Sequence, residues 1–374
     1  MRILRATEMF SAELKEFMCA AVQRRRDEDG FGGYRGGKSR NAMDLDSDAG
    51  NRLVCVTGGV SYLGRAIVKR LLVHGYSVRI VVDCQEDKEK VSEMEADAET
   101  ASFSNRITSV VSRLTETESL IKAFDGCGGV FHTTAFVDPA GISGYSKSMA
   151  ELEAKVSENV IEACTRTGSV RKCVFTSSLL ACAWQYNSFN NLDHYVINEE
   201  SWSDEQLCID NKLWYALGKL KAEKAAWRIA EAKGLKLATI CPALITGPDF
   251  FNRNSTSTLA YLKGAKEMYS NGLLATMDVN RLAKAHVCLW EGLGNKTAFG
   301  RYICYDTILS RDGAENLAKD IGVQIEKICG SSSSNDSDAN AEQEAEASLP
   351  NIQLSDKKLL DLMSRTLRSC YHES

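Results

Sequence analysis

No apolar run in the 374 residues approaches the roughly 18 that a membrane-spanning helix needs, which excludes a helical membrane protein. Thirteen cysteines are scattered from Cys19 to Cys370, yet none forms a Cys-x-x-Cys pair and the histidines do not cluster. Neither a zinc site nor a disulfide framework follows from that spacing, and no metal is expected. Cys55, Cys173 and Cys241 lie inside apolar strand-like runs and read as small buried hydrophobes, which suits a reducing cytoplasm. The N-terminus lacks the apolar segment of a signal peptide, and Glu8, Glu13 and Glu16 are wrong for an acid-poor transit peptide. Basic excess is missing as well: the net charge is -5, and this argues against nucleic acid as a main partner. What is present is ordinary globular composition, 44% hydrophobic and 25% charged, able to bury a core.

Residues 1 to about 25 pattern as an amphipathic helix, with Ile3, Phe10, Leu14, Phe17 and Ala21 near one face. From Arg24 to Gly50 the chain is rich in Gly, Arg and Asp and reads as a solvated tether. A main domain is expected over 51–329. In it, β-branched runs at Leu53–Thr57, Ser77–Val82, Ile107–Val111, Gly129–His132, Lys172–Thr176 and Lys236–Pro242 alternate with helical patterns. The helices are expected at Tyr62–His74, Glu86–Ala96, Glu116–Phe124, Lys147–Thr167 and Lys212–Lys233. This rhythm predicts an α/β fold, a doubly wound parallel sheet with a smaller C-terminal substrate-binding part. Residues 330–349 read as a polar insertion. Within 350–374 a last helix, capped by Ser355, is expected to bury Leu359, Leu360, Met363 and Leu367 on the main domain.

The first strand runs into Gly58-Gly59-Val60-Ser61-Tyr62-Leu63-Gly64 and then a helix, the order a dinucleotide site requires. Backbone N–H groups at the helix start face a pyrophosphate there, and missing side chains let it approach. Gly58 and Gly64 hold the outer positions of a G-x-x-G-x-x-G pattern, and Ser61 replaces the middle glycine. Such a turn also has a purely structural use for glycine, but its place after the first strand favours the Rossmann-like reading. Asp83 ends the second strand about 20 residues on, where an acid accepts hydrogen bonds from the adenosine ribose.

Tyr215 and Lys219 lie one helical turn apart on one face. An ammonium beside a phenol stabilises the phenolate, and this suits proton donation to a carbonyl oxygen during hydride transfer. Ser178 or Ser177, after the fifth strand, is placed to hold that oxygen. Spacing alone does not decide, because Tyr34 and Lys38 share it within the tether. Position after the fifth strand and a long loop separates the two pairs.

These residues carry a resemblance. Val56-Thr57-Gly58, Gly129-Val130-Phe131-His132-Thr133, Val174-Phe175-Thr176-Ser177-Ser178, Trp214-Tyr215-Ala216-Leu217-Gly218-Lys219, the run from Cys241 to Pro248, and Gly300-Arg301-Tyr302-Ile303-Cys304 resemble plant cinnamoyl-CoA reductases and dihydroflavonol reductases. Both belong to the extended short-chain dehydrogenase/reductases. The resemblance implies Ser178, Tyr215 and Lys219 as catalytic residues, with Tyr215 and Lys219 also at the cofactor. It adds Thr134, Pro242 and Ile245 beside the nicotinamide, and a substrate pocket from Leu179 to Asn211 and after Pro248. It implies NAD(P)H-dependent reduction of a phenylpropanoid-type carbonyl or CoA thioester. Leu213, Ala216 and Leu217 depart from the family's catalytic helix, and Leu217 in place of a phenol predicts an apolar pocket with weak discrimination for ring hydroxyls. Asp83 and Arg113 reverse the family's usual charges at the adenosine end, so the resemblance points to NADPH and Asp83 to NADH. A ketone or alcohol oxidoreductase of the dihydroflavonol reductase type stays open. So does a non-catalytic cofactor-binding protein, with an unknown partner at its N-terminal extension.

Overall fold

The computed structural model describes residues 52–97, 99–133, 145–185, 195–330 and 352–372, with the side chains of the last helix described as far as Arg365. The central sheet has seven parallel strands, numbered in chain order: β1 (Leu53–Thr57), β2 (Ser77–Val82), β3 (Ile107–Val111), β4 (Gly129–His132), β5 (Lys172–Thr176), β6 (Lys236–Pro242) and β7 (Gly300–Cys304). They lie in the order β7-β6-β5-β4-β1-β2-β3. Strand order reverses between β1 and β4, and a crevice opens beyond the carboxyl ends of such strands. The longer helices are α1 (Tyr62–Val73), α2 (Gln85–Ala96), α3 (Thr117–Phe124), α4 (Lys147–Arg166), α5 (Trp214–Lys233), α6 (Phe250–Tyr261), α7 (Val279–Gly294), α8 (Arg311–Ile321) and α9 (Lys357–His372).

Burial on both faces explains the apolar strands. In β1, Val54 and Val56 face a core shared with α1 and α7, whereas Cys55 faces a second core built with α3, α4 and α5. Leu63, Ile67, Val68, Leu71 and Leu72 of α1 recur at helical spacing and are all buried. Cys55, Cys173 and Cys241 are fully buried thiols, in keeping with the sequence. Among the described residues no helix is long and apolar enough to cross a membrane, and no group of three or more His, Cys, Asp or Glu is placed to hold a metal.

The smaller C-terminal part hangs on two short sheets. One joins Leu244–Thr246, Ala275–Asp278 and Thr307–Ile308; the other pairs Tyr195–Ile197 in parallel with Ile352–Leu354. The last helix starts at Lys357, and Ser355 does not cap it. Ser355 instead donates its backbone N–H to Ile197 O at 2.9 Å, while Asp356 O accepts from Leu359 and Leu360. Leu359 and Leu362 are buried with Met363 alongside, and Leu360 is 45% exposed. It falls about 100° round the helix from Leu359, off the face those residues share. The helix expected over residues 1–25, the tether to Gly50 and the insertion after Gly330 lie outside the described residues.

Candidate active site

The glycine turn is shaped by three local demands. Gly58 takes φ +69°, open to glycine at no steric cost. Ser61 caps α1: its Oγ accepts from Gly64 N at 3.1 Å, and its own N–H donates to Gly58 O at 2.9 Å. A Cβ on Gly64 would lie 2.0 Å from Gly58 O, so no other residue fits there. Ser61 is thus more than a lost glycine, since it fastens the turn to the helix. The first N–H groups of α1, at Tyr62 and Leu63, have no intrahelical acceptor, and that is what an anion needs. A dinucleotide pyrophosphate fits this cradle.

Around the turn, Leu63 is buried, and Tyr62 donates its hydroxyl to Pro248 O at 3.1 Å, bracing α1 against the C-terminal part. Burial pushes the Tyr62 phenol well up. Asp83 is exposed just past β2. Arg79 turns away from it to Ala123 O and Asp125 O at 2.9 and 2.6 Å, and Arg113 pairs with Glu116 at 3.2 Å. Thr134 lies outside the described residues; its neighbour Thr133 donates through Oγ1 to Thr57 O at 2.9 Å.

Ser61, Leu63, Ser178, Tyr215, Lys219, Pro242 and Ile245 line one cleft that is open to solvent. Ser177 lines the same cleft, and the two serines differ in their partners. Ser177 Oγ donates to Glu223 at 2.7 Å, whereas Ser178 Oγ accepts from Leu180 N at 3.2 Å. On α5, Lys219 Nζ stands 5.6 Å from the centre of the Tyr215 ring. Burial, with the Glu153 charge added, drives the Tyr215 phenol upward. Leu217 is 2% exposed in the core and does not line the cleft, which corrects the apolar pocket expected from it. Asn254, Ser257, Thr258 and Tyr261 of α6 line the cleft beside Ala243, Leu244 and Ile245. Thr258 Oγ1 is buried there without a hydrogen-bond partner among the described residues, and the Tyr261 hydroxyl is buried beside the Leu244 backbone.

Three further side chains had gone unassigned. Glu153, 3% exposed, holds Lys219 Nζ at 2.5 Å, and Tyr145 donates its hydroxyl to the other carboxylate oxygen. His132 Nδ1 lies 2.7 Å from Thr57 Oγ1, and burial with the nearby Lys219 charge lowers the imidazole to about 3. The signal for Glu153 is its place on the buried stripe Ala150, Glu153, Ser157 and Val160, where an unpaired carboxylate would not survive. Below the cleft, buried Arg301 of β7 pairs with Glu223 at 2.8 Å, stacks 3.5 Å from the Trp202 ring centre and donates to the carbonyls of Glu199 and Ser201. It ties the segment after Tyr195–Ile197 to the sheet.

A parallel sheet with a pyrophosphate-binding turn at its switch point defines a class, the NAD(P)-dependent oxidoreductases of Rossmann-like fold. The comparisons narrow it. The model of the NAD dependent epimerase/dehydratase family matches residues 54–278. Cinnamoyl-CoA reductase 1 of Petunia hybrida is 37% identical over 276 residues, 72% of this chain and 77% of that protein. Vestitone reductase from alfalfa, Medicago sativa, superposes over 83% of this chain and 91% of its own with a TM-score of 0.55 and 25% identity. Yeast methylglyoxal/isovaleraldehyde reductase complexed with NADPH shares the fold at a TM-score of 0.60 and 20% identity, over 83% of this chain and 93% of that one. The chain belongs to the NAD dependent epimerase/dehydratase family, in its cinnamoyl-CoA reductase-like branch, and is an NAD(P)-dependent reductase.

Proposed function

We propose that the chain reduces a phenylpropanoid-type CoA thioester or a related carbonyl compound through Ser178, Tyr215 and Lys219. The observation behind this reading is the meeting of those three side chains with the glycine turn on one cleft. NAD(P)H, when bound, supplies the hydride. On the family resemblance, Gly58, Ser61, Tyr62, Leu63 and Gly64 would hold the pyrophosphate, Asp83 the adenosine ribose, and Thr134, Pro242 and Ile245 the nicotinamide end, together with Tyr215 and Lys219. Ser178 Oγ donates a hydrogen bond to the substrate's carbonyl oxygen. As negative charge gathers on that oxygen, Tyr215 Oη gives up its proton, and Lys219 stabilises the phenolate left behind. With a thioester the resulting hemithioacetal then breaks its C–S bond, its hydroxyl proton ending on the departing CoA thiol and leaving the aldehyde. Thr258 and Tyr261 offer two buried hydroxyls to a polar group on the substrate, and this favours a hydroxylated ring.

A ketone substrate is the second reading, on the likeness to vestitone reductase. For the cofactor, exposed Asp83 favours NADH, although the yeast neighbour is complexed with NADPH. The buried cysteines that form no disulfide, Cys55, Cys173 and Cys241 among them, suit a cytoplasmic setting. The test is turnover of CoA thioesters, aldehydes and ketones with both reduced cofactors, for wild type and Tyr215→Phe. Loss of the proton donor is expected to cost roughly 10² to 10⁴ in rate with cofactor binding nearly unchanged. A variant keeping more than about a tenth of the activity would remove Tyr215 from this role, and no turnover with any substrate would favour a non-catalytic cofactor-binding protein.

A further inference from the structure

We infer that Glu153 is a positioning residue for the reaction, holding the Lys219 ammonium and moving the working pH range of Tyr215 upward. The inference rests on the roles proposed above for Tyr215 and Lys219. Its basis is geometric. Glu153 and Lys219 are 3% and 5% exposed and meet at 2.5 Å, a charge-assisted contact removed from solvent screening. The second carboxylate oxygen accepts from the Tyr145 hydroxyl, and the Tyr145 ring stands edge-on to Tyr215, with centroids 5.1 Å apart and planes at 86°. Gly218 makes this closeness possible: a Cβ there would lie 2.9 Å from Tyr145 Oη and 3.0 Å from Ala150 Cα.

The groups facing this cluster are few. Helix α5 brings Tyr215 and Lys219, α4 brings Glu153 and Ser157, and the turn before α4 brings Tyr145. Strand β4 contributes His132, kept neutral by burial and by Lys219, and α6 contributes Tyr261, whose phenol is raised by burial and by Tyr215. Among the described residues Glu153 and Lys219 are therefore the charged members, and together they are neutral. A lone ammonium would lower the Tyr215 pKa, but the carboxylate offsets it. Tyr215 then keeps its proton to higher pH, which favours donation in the reductive direction and disfavours the phenolate needed for oxidation.

The test is the pH profile of kcat/KM for reduction in wild type, Glu153→Gln and Glu153→Asp, with Tyr215→Phe beside them and the Kd of reduced cofactor measured for each by nucleotide fluorescence. In wild type the rate should stay level to at least about pH 9. In Glu153→Gln the basic limb should move down by about one pH unit or more. Glu153→Asp, which keeps the charge, should restore most of the wild-type profile, and cofactor Kd should stay within about threefold throughout. A folded Glu153→Gln with its limb unmoved overturns the inference. So does a wild-type limb below about pH 8. If the glutamine variant does not fold, the wild-type profile and that of Glu153→Asp decide, since a charge-retaining variant whose limb drops as a neutral one should also overturns it. Inactive Tyr215→Phe with an unmoved Glu153→Gln profile sinks the inference alone, whereas active Tyr215→Phe sinks the reading beneath it.

Discussion

Asp83 stands exposed past β2 with Arg79 committed to carbonyls elsewhere, so no arginine of that strand answers its charge. A 2′-phosphate at the ribose would meet this carboxylate, and solvent at the site keeps the repulsion modest. Asp83→Arg is expected to shift preference toward NADPH by about tenfold, which titration of both reduced cofactors against wild type and variant would read. Unchanged selectivity would mean the side chain points away from the ribose. On the substrate side, Tyr261→Phe removes one of the two buried hydroxyls that line the cleft. If these read a ring hydroxyl, the variant should lose about tenfold of its preference for a hydroxycinnamoyl over a cinnamoyl ester; equal ratios in wild type and variant would refute it. Single residues were the part of the site least legible in the sequence. Tyr215, Lys219 and the turn announce themselves by spacing and order, but Ser177 and Ser178 separate only once Glu223 is seen to claim the first. Glu153 is hidden because a carboxylate in a helix ordinarily reads as a solvated face, and its partner lies on another helix.

Helices α4 and α5 show what an element adds to those residues. They pack along each other closely enough that Gly218, between Tyr215 and Lys219, admits no side chain without pressing on Tyr145 and Ala150. Gly218→Val should force the pair apart, destabilise the fold by about 1 to 3 kcal/mol as overpacking does, and lower kcat more than it raises KM. Chemical denaturation and steady-state kinetics check both, and a variant with wild-type kinetics would show that the spacing of the helices is irrelevant to the reaction. At this scale the sequence is most informative. Six strands of the sheet follow from β-branched runs buried on both faces, and the helices between them from their apolar stripes. Strand β7 is harder to see, because Arg301, its second residue, is one a buried strand seldom carries. The pairing of Tyr195–Ile197 with Ile352–Leu354 leaves no local trace at all, being two three-residue segments brought together only by the folded molecule.

The whole molecule is held in part by buried polar groups, and they set its dependence on pH. Arg301 and Glu223 form a pair whose carboxylate also accepts from Ser177 and Thr239. Arg301→Ala should cost about 3 to 5 kcal/mol in a denaturation midpoint, because the carboxylate would remain buried and uncompensated. Two histidines act on the opposite side of neutrality. His286 donates from Nδ1 to Leu282 O and meets Thr176 Oγ1 at Nε2, both at 2.8 Å, and burial lowers it to about 4, so it is neutral in the fold near pH 7. His132 is lowered to about 3. In the unfolded chain each would take up a proton near 6.5. Their folded values lie below that, so the stability they contribute is fully present above about pH 6.5 and is lost as pH falls toward 4 and 3. Within that window each histidine removes about 1.4 kcal/mol per pH unit. Glu153, Asp306 and Asp356 are raised by burial and oppose the trend, but they are common to wild type and a histidine variant, so the difference in slope between the two reports the histidine. Unfolding free energy from urea titrations between about pH 6.5 and 5.5 should therefore fall with acid more steeply in wild type, by up to about 1.4 kcal/mol per pH unit, than in His286→Asn, which keeps the size and a donor but cannot take up the proton. Equal slopes in the two proteins would show that His286 is already charged in the fold.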